Sequence, residues 1–373
     1  MSLSYSTYTG GGDALVACAE YRPDGGGPAE RHIMATPCGG GTFARQWAAV
    51  RDAALRACGP AEPVMMRVFL SDPANQSDAL TGLPGCAVST VGQPPVGVAG
   101  AKVAVWLMAR EDASVTDAGP GIYVVALPGG AAEIWMAGMS RPGRDSRAAT
   151  ISMLTDCDRA LAARGTSLAG GVLRTWFFVH DIDTNYAGMV KGRNEVFDSV
   201  GLTADTHFIA STGIGGSDSD PAVTVLLDVY AATGTAPDAV KYLHAPDRLN
   251  PTAEYGVAFE RGTAVTFADR RRVLISGTAS IDSRGHIVHA GDVEAQTRRM
   301  CDNVEALLAN AGCSAADMMH AIVYIRDVAD AAAVGAMIAG RYPGLPCVVT
   351  LAPVCRPGWL VEMECMAMCP PRE

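Results

Sequence analysis

Residues 297–330 read TRRMCDNVEALLANAGCSAADMMHAIVYIRDVAD. Met300, Val304, Leu307 and Leu308 recur at helical spacing, so the first half predicts an amphipathic helix. Asp292, just after Gly291, supplies an N-cap and Gly312 a stop. Ala321 to Ile325 then reads as a buried strand that ends at Asp327. The same succession occurs in residues 150–183, TISMLTDCDRALAARGTSLAGGVLRTWFFVHDID, with its stop at Gly165 and its strand end at Asp181. It occurs again in residues 43–75, FARQWAAVRDAALRACGPAEPVMMRVFLSDPAN, with Gly59 and Asp72 in those places. A second short helical pattern follows each aspartate, clearest in Tyr186–Val200 and Ala331–Arg341. Each unit closes on an apolar strand: Ala101–Ala109, Val223–Ala232 and Trp359–Ala367.

Three copies in 373 residues leave about 124 residues for each. The order strand hairpin, helix, strand, helix, strand predicts α+β units, with helices on one face of a mixed sheet. The expected boundaries are 1–117, 118–240 and 241–373. The first copy is the most degenerate, because Pro94, Pro95 and glycine-rich stretches blur it.

Composition narrows the function classes. Hydrophobic residues make up 49% and charged residues 18%, enough for a sizeable core. A formal net charge of −10, with no long basic stretch, argues against nucleic acid as a partner. No run reaches the length of a membrane span. Residues Met1 to Asp13 are polar and glycine-rich, unlike a secretory leader, so a cytoplasmic location is expected. Eleven cysteines, an odd number without a CxxC, read as reduced thiols packed as small hydrophobes. His286 and His289 fit an exposed hairpin rim, and Cys365 with Cys369 lacks the histidines of a zinc site. Gly215–Pro221 and Cys38–Gly41 are glycine-rich but fit no phosphate-loop spacing. No metal or organic cofactor is expected.

One strand carries chemistry. Trp359–Ala367 is apolar except for Glu362 and Glu364, and period two places both on one face. A carboxylate there must be paired or hold a proton. The first outcome is structural; the second is what a general acid needs at neutral pH.

The C-terminal unit, about Gly262 to Met368, resembles the Rid (YjgF-type) proteins. The resemblance rests on VLISGTASID (273–282), GHIVHAGDVEAQTRR (285–299), NVEALLANAG (303–312), VYIRDVADAAAV (323–334) and LVEMECMA (360–367). Rid proteins are trimers of a chorismate-mutase-like fold with active sites between subunits, so the resemblance implies three such units in a pseudo-trimeric arrangement. A Rid deaminase places a carboxylate-binding arginine shortly after the proline that opens its penultimate strand. Here that position is Val348, after Pro346 and Cys347.

The larger, Rid-related chorismatases are a closer likeness. SGTAS (Ser276–Ser280) and VCRPGWLVE (Val354–Glu362) are similar to their stretches, as are RTW (174–176), KGRNEVF (191–197) and AFERG (258–262). The resemblance implies that Glu362 is the catalytic acid. It also implies that Cys355, seven residues earlier, steers the product to 3-hydroxybenzoate, that Ala279 shapes the pocket, and that Thr278 is among the substrate-binding residues. Chorismate is a dianion, and arginine binds carboxylates in bidentate fashion. Arg174, Arg193, Arg261 and Arg356 are the candidates, with Tyr255 as a hydroxyl donor. The implied activity is removal of pyruvate from chorismate by general acid catalysis, a step of secondary metabolism. Two alternatives stay open: a Rid-type enamine or imine hydrolase whose arginine comes from another unit, and a non-catalytic pseudo-trimer that binds a small metabolite. The expected partner is a small anionic substrate; the oligomeric state is undetermined.

Overall fold

The computed structural model describes residues 2–127, 130–236 and 238–371, apart from the side chains of Ala253 and Tyr255. The first unit contains β1 (Ser2–Gly10), β2 (Ala14–Arg22), β3 (Glu30–Pro37), α1 (Phe43–Ala57), β4 (Glu62–Leu70), α2 (Pro73–Gln76), β5 (Ala87–Gly92) and β6 (Val103–Arg110). The second contains β7 (Ser114–Asp117), β8 (Ile122–Ala126), β9 (Ala132–Ser140), α3 (Ser146–Ala162), α4 (Leu168–Gly171), β10 (Val172–Val179), α5 (Ile182–Ser199), β11 (Ala210–Gly215) and β12 (Val225–Thr233). The third contains β13 (Val240–Tyr242), β14 (Gly262–Thr266), β15 (Arg271–Ala279), α6 (Val293–Asn310), β16 (Met318–Ile325), α7 (Ala331–Arg341), β17 (Cys347–Leu351) and β18 (Val361–Cys369).

Each unit forms one six-stranded sheet, and the strand order is the same three times: β1-β2-β3-β6-β4-β5, β7-β8-β9-β12-β10-β11 and β13-β14-β15-β18-β16-β17. Only the last pair of each sheet is parallel. The fold is therefore α+β, with three repeated units. The second sheet already begins at Ser114, inside the span 1–117, because β7 pairs with β8. The third begins at Val240, because β13 pairs with β14. After Asp72 the expected second helix of the first unit shrinks to the single turn α2 and a 3-10 turn at Ser77–Ala79.

Local chemistry places the helices. The Asp292 carboxylate accepts the Ala295 amide at the start of α6, and Asp145 and Thr42 do the same for α3 and α1. Gly59, Gly165 and Gly312 follow the ends of α1, α3 and α6 with φ of +57°, +75° and +78°, left-handed values that disfavour a side chain. The helices cover one face of each sheet; the other faces meet one another. β6, β10, β16 and β18 are buried along their whole length, which is why they read as continuous apolar runs rather than as alternation. The sheet edges are also joined between units: the Gly92 amide donates to the Ser217 carbonyl at 2.8 Å, Leu351 to Pro94 at 2.8 Å and Gly215 to Pro353 at 2.9 Å.

Where the three sheets face each other, the core is charged. Arg272 Nη2 lies 2.7 Å from Glu30 Oε2, and its Nη1 lies 2.6 Å from Glu133 Oε1. Thus one cation of the third unit serves a carboxylate from each of the others. Burial pushes the Glu30 carboxyl up, but Arg272, His32 and Arg270 outweigh it and hold the group well below the ordinary carboxylate range. Replacing Arg272 with Met leaves two buried carboxylates without their shared partner, a loss expected to cost about 3–5 kcal/mol. Chemical denaturation of Arg272→Met against wild type measures it.

Candidate active site

A cleft lies between the second and third units. Glu362 and Glu364 alternate on β18, 5% and 3% exposed, and their surroundings differ. Glu364 is paired: Arg174 Nη2 lies 2.7 Å from Oε2, and the Trp176 indole donates to Oε1 at 2.8 Å. The Thr212 hydroxyl also donates to Glu364. Arg174 and Trp176 stand on β10 and Thr212 on β11, so the second unit neutralises this carboxylate of the third.

Glu362, two residues earlier, faces the cleft. Burial is the main cause that raises its pKa from 4.5 to about 8; the neighbouring Glu364 adds to the rise, while Arg174 and Arg261 oppose it. The carboxyl therefore holds a proton at neutral pH. Its position depends on Gly277. β15 slips register against β18 between Ile275 and Thr278, and at this irregularity a Cβ on Gly277 would stand 2.1 Å from Glu362 Oε1.

The cleft is narrow and opens to solvent; with its mouth included it holds about 520 Å³ of atom-free space. Arg193 of α5 lines it from the second unit, Arg261 from the segment before β14, and Arg356 from the loop before β18. Arg261 Nη2 donates to the Asn250 carbonyl at 3.0 Å, and the Arg356 guanidinium sits 4.9 Å from the Trp359 ring. Three arginines, the side chains best suited to pair with carboxylates, thus line the cleft around Glu362. Cys355 is half-buried in the same wall. Burial, with help from Glu362, pushes its thiol up to about 12, against the opposing effect of a hydrogen bond with Tyr186. It is a thiol, not a thiolate, at neutral pH. The Tyr186 hydroxyl is itself held well above its ordinary range by burial.

Of the residues singled out in the sequence, Glu362, Cys355, Arg193, Arg261, Ala279 and Arg356 meet in this cleft. Arg174 and Thr278 do not line it. Arg174 lies behind it on Glu364, and Thr278 is fully buried, its hydroxyl donating to the Ser276 carbonyl at 2.8 Å. The Tyr255 side chain lies outside the described residues. Sequence reasoning missed Tyr186, Ser211, Phe259 and Trp359, which also line the cleft. A signal for Tyr186 existed: it precedes Arg193 by seven residues, two helical turns on one face. Val348, at the family's arginine position, is a core residue of β17, 3% exposed.

The other two units offer no equivalent acid. The penultimate residues of β4, β10 and β16 are Phe69, Phe178 and Tyr324, and their partners across the ladder are Ala104, Leu226 and Glu362. Among the described residues, no three His, Cys, Asp or Glu side chains cluster to hold a metal ion, and no helix is long and apolar enough to cross a membrane.

If Glu362 works in the position shown, Gly277→Ala should displace its carboxyl. Turnover should fall by about 10²-fold, the scale of an ångström-sized misplacement. Steady-state kinetics and thermal melting, measured together, check that the loss is not one of folding.

Comparison with known proteins bears on the fold and on the C-terminal unit. Residues 249–369 match the family model described as Endoribonuclease L-PSP. Over 71 residues the chain is 35% identical to the 3-aminoacrylate deaminase RutC of Acinetobacter baylyi, a match covering 19% of this chain and 56% of that protein. The chain thus spans about half the length of that relative. Among solved structures, yeast Mmf1 matches 34% of this chain and 97% of its own at 17% identity, with a TM-score of 0.30. A chorismatase crystal structure matches 82% of this chain and 93% of its own, at 21% identity and a TM-score of 0.64. The chain has the three-unit fold of a chorismatase, and its C-terminal third carries the L-PSP family match.

Proposed function

We propose that the protein is a chorismatase-type enzyme that removes pyruvate from chorismate. The observation that carries the reading is Glu362, a buried acid holding its proton to about pH 8 in a cleft lined by three arginines. The arginines bind the two carboxylates of the substrate. Glu362 gives its proton to the methylene carbon of the enol ether, so that the ring C–O bond breaks and its electron pair leaves with pyruvate. The ring then loses a proton and becomes a hydroxybenzoate. To reach 3-hydroxybenzoate, the remaining ring hydroxyl oxygen bonds to the vacated carbon while its original C–O bond breaks, before the ring loses its proton; Cys355, a neutral thiol beside the acid, favours this shift over direct proton loss. Incubation of the purified protein with chorismate, followed by mass spectrometry, tests the reading; intact chorismate after prolonged incubation would refute it.

A second reading has its own support. Arg193 reaches the cleft from the second unit, where it can replace the carboxylate-binding arginine missing at Val348. An enamine or imine hydrolase of the Rid type would use it. Ammonia release from 2-aminoacrylate, with chorismate untouched, would favour this alternative. Binding without turnover of either compound would make the protein a metabolite-binding pseudo-trimer.

Because the acid form of Glu362 is the working one, turnover should decline as pH rises through about 8. Glu362→Gln should lower turnover by about 10²–10⁴-fold at neutral pH and abolish that inflection. Stability supplies an independent check. The folded protein keeps the Glu362 proton up to about pH 8, whereas the unfolded carboxyl loses it near 4.5. The contribution of this group to stability therefore decreases as pH rises between those values. Melting temperatures across that window should fall less steeply for Glu362→Gln than for wild type.

Cys355→Ala separates steering from nucleophilic chemistry. The ratio of products should change, while the rate of chorismate loss stays within about an order of magnitude of wild type, far above the effect of removing a proton donor. Chromatographic quantification of the aromatic products over a time course measures both.

A further inference from the structure

At the opposite end of the sheets lies a second cavity, open to solvent and lined by residues of all three units, with about 1540 Å³ of atom-free space when its mouth is included. Arg271 lines this cavity and Ala279 the catalytic cleft, at the two ends of β15. Eight strand steps separate them by roughly 27 Å. The two sites therefore do not overlap.

The walls are mainly apolar, with Leu127 and Ala131 from the second unit and Phe267 from the third. Set into them is Arg110, the last residue of β6, only 2% exposed. Its Nε lies 3.3 Å from Asp112 Oδ1. Its Nη2 is 3.9 Å from Asp269 Oδ2, but that carboxylate is engaged on both oxygens by Arg270, at 3.0 and 2.5 Å. Arg110 Nη1 is buried and makes no hydrogen bond among the described residues. Its neighbour in the lining, Arg271, is committed to the Thr266 hydroxyl and the Ala311 carbonyl, both at 3.1 Å.

A buried guanidinium N–H without an acceptor is costly, and an incoming oxygen anion relieves that cost. We propose that this cavity binds a small organic monocarboxylate, its carboxylate on Arg110 and its apolar body against Leu127, Ala131 and Phe267. The walls select against the other classes. A polyanion such as phosphate would meet apolar surface, and Asp238 and Asp269 in the lining would repel its additional charge. An uncharged aromatic would fill the apolar part and leave Nη1 without its acceptor.

Isothermal titration of the full-length protein with benzoate tests the assignment, with benzyl alcohol and inorganic phosphate as controls. The variants are Arg110→Gln, Ala268→Trp and Arg193→Gln. Ala268 is an exposed residue of the cavity rim, so its indole blocks the cavity without altering the core. Benzoate should keep its binding at this cavity in Arg193→Gln, which changes only whatever binding the catalytic cleft adds. Loss of a charge-assisted hydrogen bond should weaken binding about tenfold or more in Arg110→Gln, and Ala268→Trp should weaken it as well. Both controls should bind more weakly than benzoate. The proposal is overturned if wild type does not bind benzoate. It is equally overturned if Arg193→Gln abolishes binding while Ala268→Trp and a folded Arg110→Gln retain it, or if phosphate binds as tightly as benzoate.

Discussion

The ion pair between Arg174 and Glu364 decides the chemistry of the molecule. β18 buries two carboxylates two residues apart, and the guanidinium that reaches across from the second unit forms its short contact with only one of them. Glu364 takes the cation, the Trp176 indole and the Thr212 hydroxyl. Glu362 is left to resolve its burial by holding a proton, and Glu364 beside it reinforces that outcome. Arg67 of the first unit extends the network: its Nη2 is 2.9 Å from Asp228 of the second unit, and its Nη1 is 3.7 Å from Glu364. Docking of the three units and protonation of the acid are thus one electrostatic problem, solved together.

Much of this was legible in the chain. The helix, glycine stop and buried strand recur at each expected place, because capping and periodicity are local properties. The expected closing strands Ala101–Ala109, Val223–Ala232 and Trp359–Ala367 occur as Val103–Arg110, Val225–Thr233 and Val361–Cys369, one or two residues further on. Pairing of β4, β10 and β16 with strands on both sides, one parallel and one antiparallel, was not legible; it depends on contacts between residues far apart in sequence. The two carboxylates on one face were legible from period two alone. Their division of labour was not, because Arg174 at the start of an apolar strand looks the same whether it meets a substrate or Glu364. Only the docking of β10 against β18 distinguishes the two. Thr278 was misplaced for a related reason: beside Gly277 the register irregularity turns its hydroxyl back onto its own strand, where it bonds Ser276.

The repeat is structural rather than chemical. Ala104 and Leu226 occupy the ladder positions that correspond to Glu362, and Trp106 and Asp228 those that correspond to Glu364. The second unit has kept a carboxylate at the inner of these positions, where it pairs with Arg67, and the first has an indole there. A carboxylate that pairs with arginine thus stands at that position in two units, and the acid in one. What the second unit contributes to the cleft instead is a wall, with Tyr186 and Arg193 of α5 and Ser211 of β11.

Glu30, Glu133 and Arg272 stand at corresponding places too, opposite Arg110, Ala232 and Met368 of the closing strands. In an assembly of identical subunits, whatever residue occupies that place is present three times, and three buried charges of one sign would repel without compensation. A single polypeptide escapes this rule and sets one cation between two anions. The repeats have therefore ceased to be interchangeable. Copying the β3 stretch of the first unit into the third by recombination would place three glutamates at the junction. Divergence among the units, once begun at this point, is locked against reversal, and the asymmetry that leaves one acid per chain is protected by the same lock.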